Sequence, residues 1–199
     1  MDTGDTSNHR PISNINTMSK VLERLFISRL MPHVSGNLCT LLSAYHKHHS
    51  TETALLRITN DLFEAVDAKT ANVLVALDLS AAFDTIDQSV LLRRLEHTLG
   101  VGGTDLSWIR SYLHQRPSFV KTGTAQSSTV VGDTDVSQGS SLEPLLFSLF
   151  TTPLDGVISR FAVPYHQYAD DTQLYIAVDK ATATSSSSTI TACTTAMYV

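Results

Sequence analysis

Residues 73–78, VLVALD, and residues 166–178, HQYADDTQLYIAV, decide the fold of this chain. The first segment is a continuous, partly β-branched apolar run that stops at an acid, Asp78, and it predicts a strand buried on both faces. The second segment predicts two strands joined by a two-residue hairpin loop at Asp170-Asp171. Together the two segments predict a central sheet with acidic residues where its strands end.

Apolar residues recur at helical spacing on both sides of these strands, and caps and breakers set the bounds of the helices. The pattern predicts helices from a Ser19 cap to Pro32, from Ser50 to about Val66, from Asp87 to Gly100, over 105–114, and over 142–150. Two short strand candidates, around Phe119-Val120 and over 129–131, lie between the last two helices. This mixture predicts an α/β (α+β) fold.

Composition limits the class of protein. The chain carries 14 Lys and Arg against 19 Asp and Glu, a net charge of −5, which is the wrong sign for affinity based on neutralising phosphates. Cys39 and Cys193 imply neither a disulfide framework nor a Cys-rich zinc site. No apolar run reaches the length of a membrane span, and the first residues show no export signal. We therefore expect an intracellular protein with no membrane partner, in the nucleus or the cytoplasm.

The acids at the strand ends carry the chemistry. Asp78 alone, or Asp170-Asp171 alone, is an ordinary turn former. A sheet that brings both to one point gathers carboxylates that repel one another unless a cation lies between them. Hard divalent ions with oxygen ligands, above all Mg²⁺, fit such a cluster, and two of them support phosphoryl transfer. The residues therefore predict nucleotidyl transfer as the class of reaction.

Three motifs carry a family resemblance. They are residues 77–87 around Asp78, the run Ser137-Gln138-Gly139-Ser140, and Tyr168-Ala169-Asp170-Asp171. In this order and spacing they resemble the palm motifs of the reverse transcriptase domain of non-LTR (LINE-type) retrotransposons. The resemblance extends from Arg10 to about Val178. It implies a reaction, RNA-directed DNA polymerisation, in which an RNA template, a DNA primer and deoxynucleoside triphosphates are the partners.

The resemblance also implies an architecture: a polymerase palm with an antiparallel sheet and helices on one face, partial helical fingers, and no thumb. We expect a flexible N-terminal segment over 1–16, partial fingers over 17–70, the palm with its catalytic motifs over 71–180, and a truncated tail over 181–199. Ten of the nineteen tail residues are Ser or Thr, so the tail is expected to bury little. Without a thumb, we expect little processive synthesis. No sequence feature sets an oligomeric state.

Residue roles follow from the resemblance alone. Asp78 and Asp170 would hold two Mg²⁺ ions, for which Mn²⁺ could substitute, with Asp171 alongside and Leu79 offering its backbone carbonyl. Phe83 resembles the aromatic steric gate beneath the sugar of the incoming nucleotide, although an ordinary core aromatic would look the same in sequence. Gln138 and Gly139 would form a tight turn near the template and the incoming base.

Departures from the family pattern support a second reading. His46 stands where the fingers usually carry Arg, Ser137 where the palm motif has Pro, and Glu143 where Gly is usual. Glu143 is expected to bring an added carboxylate next to the primer or nucleotide. The alternative is a non-catalytic retroelement remnant that folds or binds nucleic acid weakly. His46, His48 and His49 lie in a polar loop without a matching ligand cluster, so they do not indicate a metal site.

Overall fold

A computed structural model describes residues 12–39, 41–44, 48–78, 86–131, 136–178 and 183–197. The helices are α1 (Thr17–Val34), α2 (Thr51–Asp67), α3 (Gln88–His97), α4 (Gly103–Leu113), α5 (Glu143–Thr151), α6 (Pro153–Ser159) and α7 (Ala183–Met197). The strands are β1 (Ala71–Asp78), β2 (Pro117–Ser118), β3 (Lys121–Thr122), β4 (Ala125–Gln126), β5 (Val130–Val131), β6 (Tyr165–Tyr168) and β7 (Asp171–Val178). The chain divides into two compact units, Met1–Gly36 with Ala81–Phe150, and Asn37–Ser80 with Thr151–Val199.

The second unit is built on an antiparallel sheet in the order β1-β7-β6. Every residue of β1 pairs with β7, from Ala71 opposite Val178 to Asp78 opposite Asp171. Beside β6, a single parallel bridge joins Leu42 to Gln167. The predicted mixture of helices with an antiparallel sheet is therefore confirmed.

Helices cover both faces of this sheet, whereas the resemblance implied one face. On one face, the Tyr175 hydroxyl of β7 donates to a carboxylate oxygen of Asp61 in α2. On the other, Leu174 belongs to a buried cluster with Ile158 of α6 and Cys193 of α7. Adjacent residues of a strand point to opposite faces, so the two contacts place helices on opposite sides.

The strand β1 does not have the double burial that its apolar sequence predicted. Val73 and Leu74, on opposite faces, are 43% and 47% exposed. The reason is position: β1 pairs only with β7 among the described strands, so it lies at an edge of the sheet. An uninterrupted apolar run is typical of a central parallel strand, and tertiary placement overrides that expectation here.

The Ser/Thr-rich segment near the C-terminus is a helix with a buried face, so the expectation that it buries little is wrong. In α7, Ile190 and Cys193 are buried and lie three residues apart, with Ser186 on the same side. Thr and Ser hydroxyls elsewhere on the helix donate to backbone carbonyls three or four residues earlier. A few correctly spaced apolar residues are enough to dock a helix of polar composition.

The first unit contains α1, α3, α4, the short strands and most of α5. The predicted helix over 105–114 corresponds to α4, whose buried residues Leu106, Ile109 and Leu113 recur at helical spacing. Between α4 and α5, β2 pairs with β5 and β3 pairs with β4 in nested hairpins. Around Phe119-Val120 the structure has two short strands, β2 and β3, instead of one, and these two exposed residues connect them.

Helix α1 differs from its prediction in bounds and in orientation. Its cap is Asn16, whose side-chain oxygen accepts from the Ser19 backbone N–H, and the helix continues through Pro32 to Val34. Pro32 has no backbone N–H to donate, so α1 lacks one intrahelical hydrogen bond there, and the helix ends two residues later. The inward side of α1 carries Glu23 and Leu30, both buried, while three apolar residues of the helix, Val21, Leu22 and Leu25, are exposed.

The ends of α2 show how local chemistry fixes a helix. Ser50 and Thr53 form the two reciprocal hydrogen bonds of a capping box. At the other end, the Lys69 N–H donates to the Val66 carbonyl and the Thr70 N–H to the Ala65 carbonyl. These are the bonds of a Schellman motif, which places Lys69 at the position usually held by glycine, with φ of 58°.

Lys69→Gly is therefore expected to stabilise the protein by about 1 kcal/mol, because glycine adopts positive φ without the strain that a Cβ brings. The measurement is urea unfolding followed by far-ultraviolet circular dichroism. Lys69→Ala is the matched control, since it removes the charge and keeps the Cβ, and it should give no comparable gain. A glycine variant no more stable than the alanine variant would contradict the strain argument.

Among the described helices, none is long and apolar enough to cross a membrane.

Candidate active site

The acidic hairpin joins β6 to β7 within the second unit. Tyr168 pairs with Asp171, so the two loop residues are Ala169 and Asp170. The predicted loop, Asp170-Asp171, is therefore shifted by one residue. Ala169 takes the first loop position with φ of 55°, the left-handed conformation that tight hairpins require there. As a consequence, Asp171 is the first residue of β7 and Asp170 is the second loop residue.

Asp78 lies directly opposite Asp171 in the β1–β7 pairing. Residues facing each other in an antiparallel pair have Cα atoms about 5 Å apart and side chains on the same face of the sheet. Like charges in that arrangement repel. The register therefore brings acids from two distant segments to one end of the sheet, where a cation would relieve their repulsion.

The exposure of the acids indicates an open site. Asp78 and Asp171 are exposed, and Asp170 is half-buried in the turn. Over the described ranges, no group of three or more His, Cys, Asp or Glu side chains is arranged to hold a metal ion. The acids thus offer oxygen ligands from both strands without forming a closed cage. Carboxylate oxygens are the type of ligand that hard divalent ions prefer.

Leu79 and Phe83 lie outside the described residues, so their roles stay predictions. His46 of the predicted fingers lies outside them as well.

Two histidines contact the Ser43 hydroxyl. His166 Nε2 lies 2.7 Å from it and His49 Nδ1 lies 3.3 Å from it. Burial lowers the pKa of His166, and the nearby charge of Arg57 lowers it further. His166 is a buried residue of β6, the strand that leads into the acidic hairpin.

The predicted turn at Gln138-Gly139 is present in the first unit. Gly139 has φ of 96°, which favours glycine, and the Ser13 backbone N–H donates to the Gln138 carbonyl at 2.8 Å. A Cβ built on Gly139 would lie 3.3 Å from both Ile12 Cγ2 and the Ser13 carbonyl oxygen. Glycine is thus required here for its conformation and for the close approach of another backbone segment.

Gly139→Ala is expected to cost roughly 1–3 kcal/mol of folding free energy, because a Cβ at positive φ is strained and meets a backbone atom. The matched control is Gly36→Ala, where an added Cβ meets nothing within 4 Å. Urea unfolding of both variants measures the difference. Equal stability of the two variants would show that the turn relaxes freely.

Glu143 does not present an open carboxylate, contrary to the expectation from sequence. It is 7% exposed, and its Oε2 accepts from the Gly139 backbone N–H at 2.6 Å. The reason is its place in the first turn of α5, from which the side chain reaches back over the preceding turn. The substitution that looked like a defect stabilises the conformation of Gly139.

Sequence reasoning missed Glu23 and Tyr112. The Tyr112 hydroxyl donates to Glu23 Oε1 at 2.9 Å and lies 3.0 Å from Ser140 Oγ, while Glu23 Oε2 accepts from the Ser141 backbone N–H at 2.6 Å. Burial raises the pKa of the Tyr112 hydroxyl. The sequence does contain a signal for Glu23. It lies three residues before Phe26 and seven before Leu30, a spacing that places it on the inward side of α1.

The chain is similar in sequence to known reverse transcriptases. Residues 2–196 match the model of the family described as reverse transcriptase (RNA-dependent DNA polymerase). The chain is 30% identical over 148 residues to a probable RNA-directed DNA polymerase from transposon BS of Drosophila melanogaster, covering 73% of this chain and 16% of that protein. It is 29% identical over 174 residues to the RNA-directed DNA polymerase from mobile element jockey of Drosophila funebris. This alignment covers 84% of this chain and 19% of that protein.

A third relative is the Pol polyprotein from type-1 retrotransposable element R2 of Popillia japonica, 30% identical over 182 residues, covering 85% of this chain and 25% of that protein. The chain thus spans a quarter or less of these relatives. A solved structure of apo telomerase from Candida tropicalis, truncated from its C-terminal domain, matches the fold with a TM-score of 0.53 at 14% identity, covering 88% of this chain and 36% of that one. The family match and the transposon relatives confirm the resemblance in the motifs: the chain belongs to the reverse transcriptase (RNA-dependent DNA polymerase) family.

Proposed function

We propose that this chain supplies the catalytic carboxylates of an RNA-directed DNA polymerase of the non-LTR retrotransposon type. The observation that carries the proposal is the pairing of Asp78 with Asp171, with Asp170 in the adjoining turn. The partners would be an RNA template, a DNA primer and deoxynucleoside triphosphates. The family match over residues 2–196 supports this reaction over other phosphoryl transfers.

The residues that would hold two Mg²⁺ ions are Asp78, Asp170 and Asp171, with the Leu79 carbonyl beside them. Bound divalent ions would lower the pKa of the primer 3′-hydroxyl and neutralise the charge on the departing pyrophosphate. The carboxylates would fix the position of the reaction, because sheet register sets two of them and a two-residue turn sets the third. Rigid placement of this kind is what positioning catalysis requires.

The Gln138-Gly139 turn would contact the incoming nucleotide. The Gln138 side-chain amide offers both a donor and an acceptor, which suits recognition of a nucleotide base. The Gln138 carbonyl accepts a hydrogen bond from the Ser13 backbone N–H, which holds the backbone of the turn. Phe83 would lie beneath the sugar and exclude a 2′-hydroxyl by steric contact.

Single-nucleotide addition tests the proposal. The 199-residue protein is mixed in molar excess with a labelled DNA primer on an RNA template, so that weak binding or low processivity does not hide chemistry. We expect template-directed addition that requires Mg²⁺, is lost in Asp170→Asn and is kept in Asp67→Asn, a matched variant at the exposed end of α2. A folded protein that binds the primer–template at saturation and adds no nucleotide would favour the non-catalytic alternative.

A further inference from the structure

A buried carboxylate connects α1 to the Gln138-Gly139 turn. Glu23 is 1% exposed, and both of its oxygens are occupied, Oε1 by the Tyr112 hydroxyl and Oε2 by the Ser141 backbone N–H. Isolated buried charges are strongly unfavourable, and hydrogen bonding of this kind compensates for burial. An apolar residue at this position would fill the same space without that cost. The position of Glu23 therefore points to a role other than stability.

The bonds of Glu23 converge on the segment that follows Gly139. Tyr112, held by Glu23, contacts the Ser140 hydroxyl at 3.0 Å. Ser140 Oγ in turn accepts from the backbone N–H groups of Leu142 and Glu143, each at 3.0 Å. Glu23 thus acts on the turn by a direct bond to Ser141 and by an indirect path through Tyr112.

Tyr112 is itself fixed by aromatic contacts. Its ring stacks on Trp108 with centroids 5.3 Å apart, and Trp108 stacks on Phe26 of α1 at 4.1 Å. The Arg116 guanidinium lies 4.7 Å from the centre of the Tyr112 ring. With the ring position set by these neighbours, the Tyr112 hydroxyl has little freedom to follow a turn that moves.

Two acids and one hydroxyl therefore hold four backbone amides of one turn. Glu143 accepts a hydrogen bond from the Gly139 N–H, and Glu23 accepts one from the Ser141 N–H. The Ser140 hydroxyl oxygen accepts from the N–H groups of Leu142 and Glu143. We propose that Glu23 is a positioning residue for nucleotide binding, which holds the turn so that the Gln138 amide meets the incoming nucleotide. This inference rests on the proposed polymerase function and assigns a role to a residue outside the three palm motifs.

Steady-state kinetics of single-nucleotide addition separate positioning from simple stability. In Glu23→Leu, the KM for the deoxynucleoside triphosphate is expected to rise about 10- to 100-fold, the equivalent of losing hydrogen bonds to a charged group, with a smaller change in kcat. Glu23→Gln should recover part of the loss, because its carbonyl oxygen can still accept from Ser141. A structural role alone would lower kcat through the folded fraction and leave KM unchanged. Glu96→Leu, at an exposed glutamate of α3, is the matched control.

Amide hydrogen exchange gives a readout that does not need activity. Glu23→Leu and Tyr112→Phe should speed exchange at Gly139 and Ser141 about tenfold or more, while amides of α3 keep their protection. Unchanged exchange at the turn in both variants would overturn the inference, and so would a uniform rise across the first unit. If the wild-type protein adds no nucleotide, the polymerase proposal fails, and exchange then decides whether Glu23 positions the turn.

Discussion

Asp78→Asn is expected to lower the rate of single-nucleotide addition about a thousandfold, or roughly 4 kcal/mol of transition-state stabilisation. Asp78 is the one acid that β1 contributes, and it faces Asp171 in the register. Its loss leaves the hairpin acids without a carboxylate from the opposite strand, so a cation at the site would lose a charged ligand. Asparagine keeps the shape of the side chain and the pairing of the strand.

The rate is measured at saturating nucleotide, with Asp67→Asn as the control. Asp67 is an exposed acid at the end of α2, and its variant should keep the wild-type rate within a few-fold. The far-ultraviolet circular dichroism spectrum of Asp78→Asn should match that of the wild type, because the substitution removes an exposed charge that repels Asp171. A rate within tenfold of wild type in the folded Asp78→Asn protein would exclude Asp78 from the catalytic site.

Leu174→Ala is expected to destabilise the second unit by about 3 kcal/mol, within the usual range for a large-to-small change in a core. Leu174 is completely buried at the centre of the sheet, paired with Val75 on one side and Tyr165 on the other. Its side chain belongs to the cluster that joins the sheet to α6 and α7. The cavity left behind cannot collapse easily, because strands on both sides hold the backbone in place.

The matched control is Leu74→Ala on the neighbouring strand, where the same side chain is 47% exposed. Its loss should cost less than about 1 kcal/mol, because little buried area is removed. Urea unfolding followed by circular dichroism gives both values. If the two substitutions have similar effects, the assignment of Leu174 to the core and Leu74 to an exposed face is wrong.

Local chemistry in the sequence predicted much of the fold. The caps at Ser50 and Asp87 mark helix starts in the structure as they do in the sequence. The acidic end of β1 and the acidic hairpin were also placed correctly, apart from the one-residue shift of the loop. The caps depend on side chains within four residues of the backbone groups that they satisfy, so they can be predicted without the tertiary structure.

The errors concern tertiary placement. Apolar content could not show that β1 lies at an edge, because that depends on which strands pair with it. The same limit applies to α1, where hydrogen bonds to Glu23 and the stacking of Phe26 on Trp108 set the inward side. Glu143 is an exception: its partner, the Gly139 N–H, lies four residues earlier in the chain, so the contact is local, and comparison with the family pattern alone does not indicate it.

The central claim is that Asp78, Asp170 and Asp171 form one divalent-ion site, and paramagnetic broadening by Mn²⁺ tests it most directly. Mn²⁺ is added at substoichiometric amounts to the isotope-labelled 199-residue protein, and amide signals are followed by nuclear magnetic resonance. The claim predicts selective loss of signals from residues 76–78 and 168–173, recovery with excess Mg²⁺, and no selective loss in the Asp78→Asn, Asp170→Asn double variant. Broadening that instead follows exposed acids such as Asp67 and Glu96, or that survives in the double variant, would contradict it.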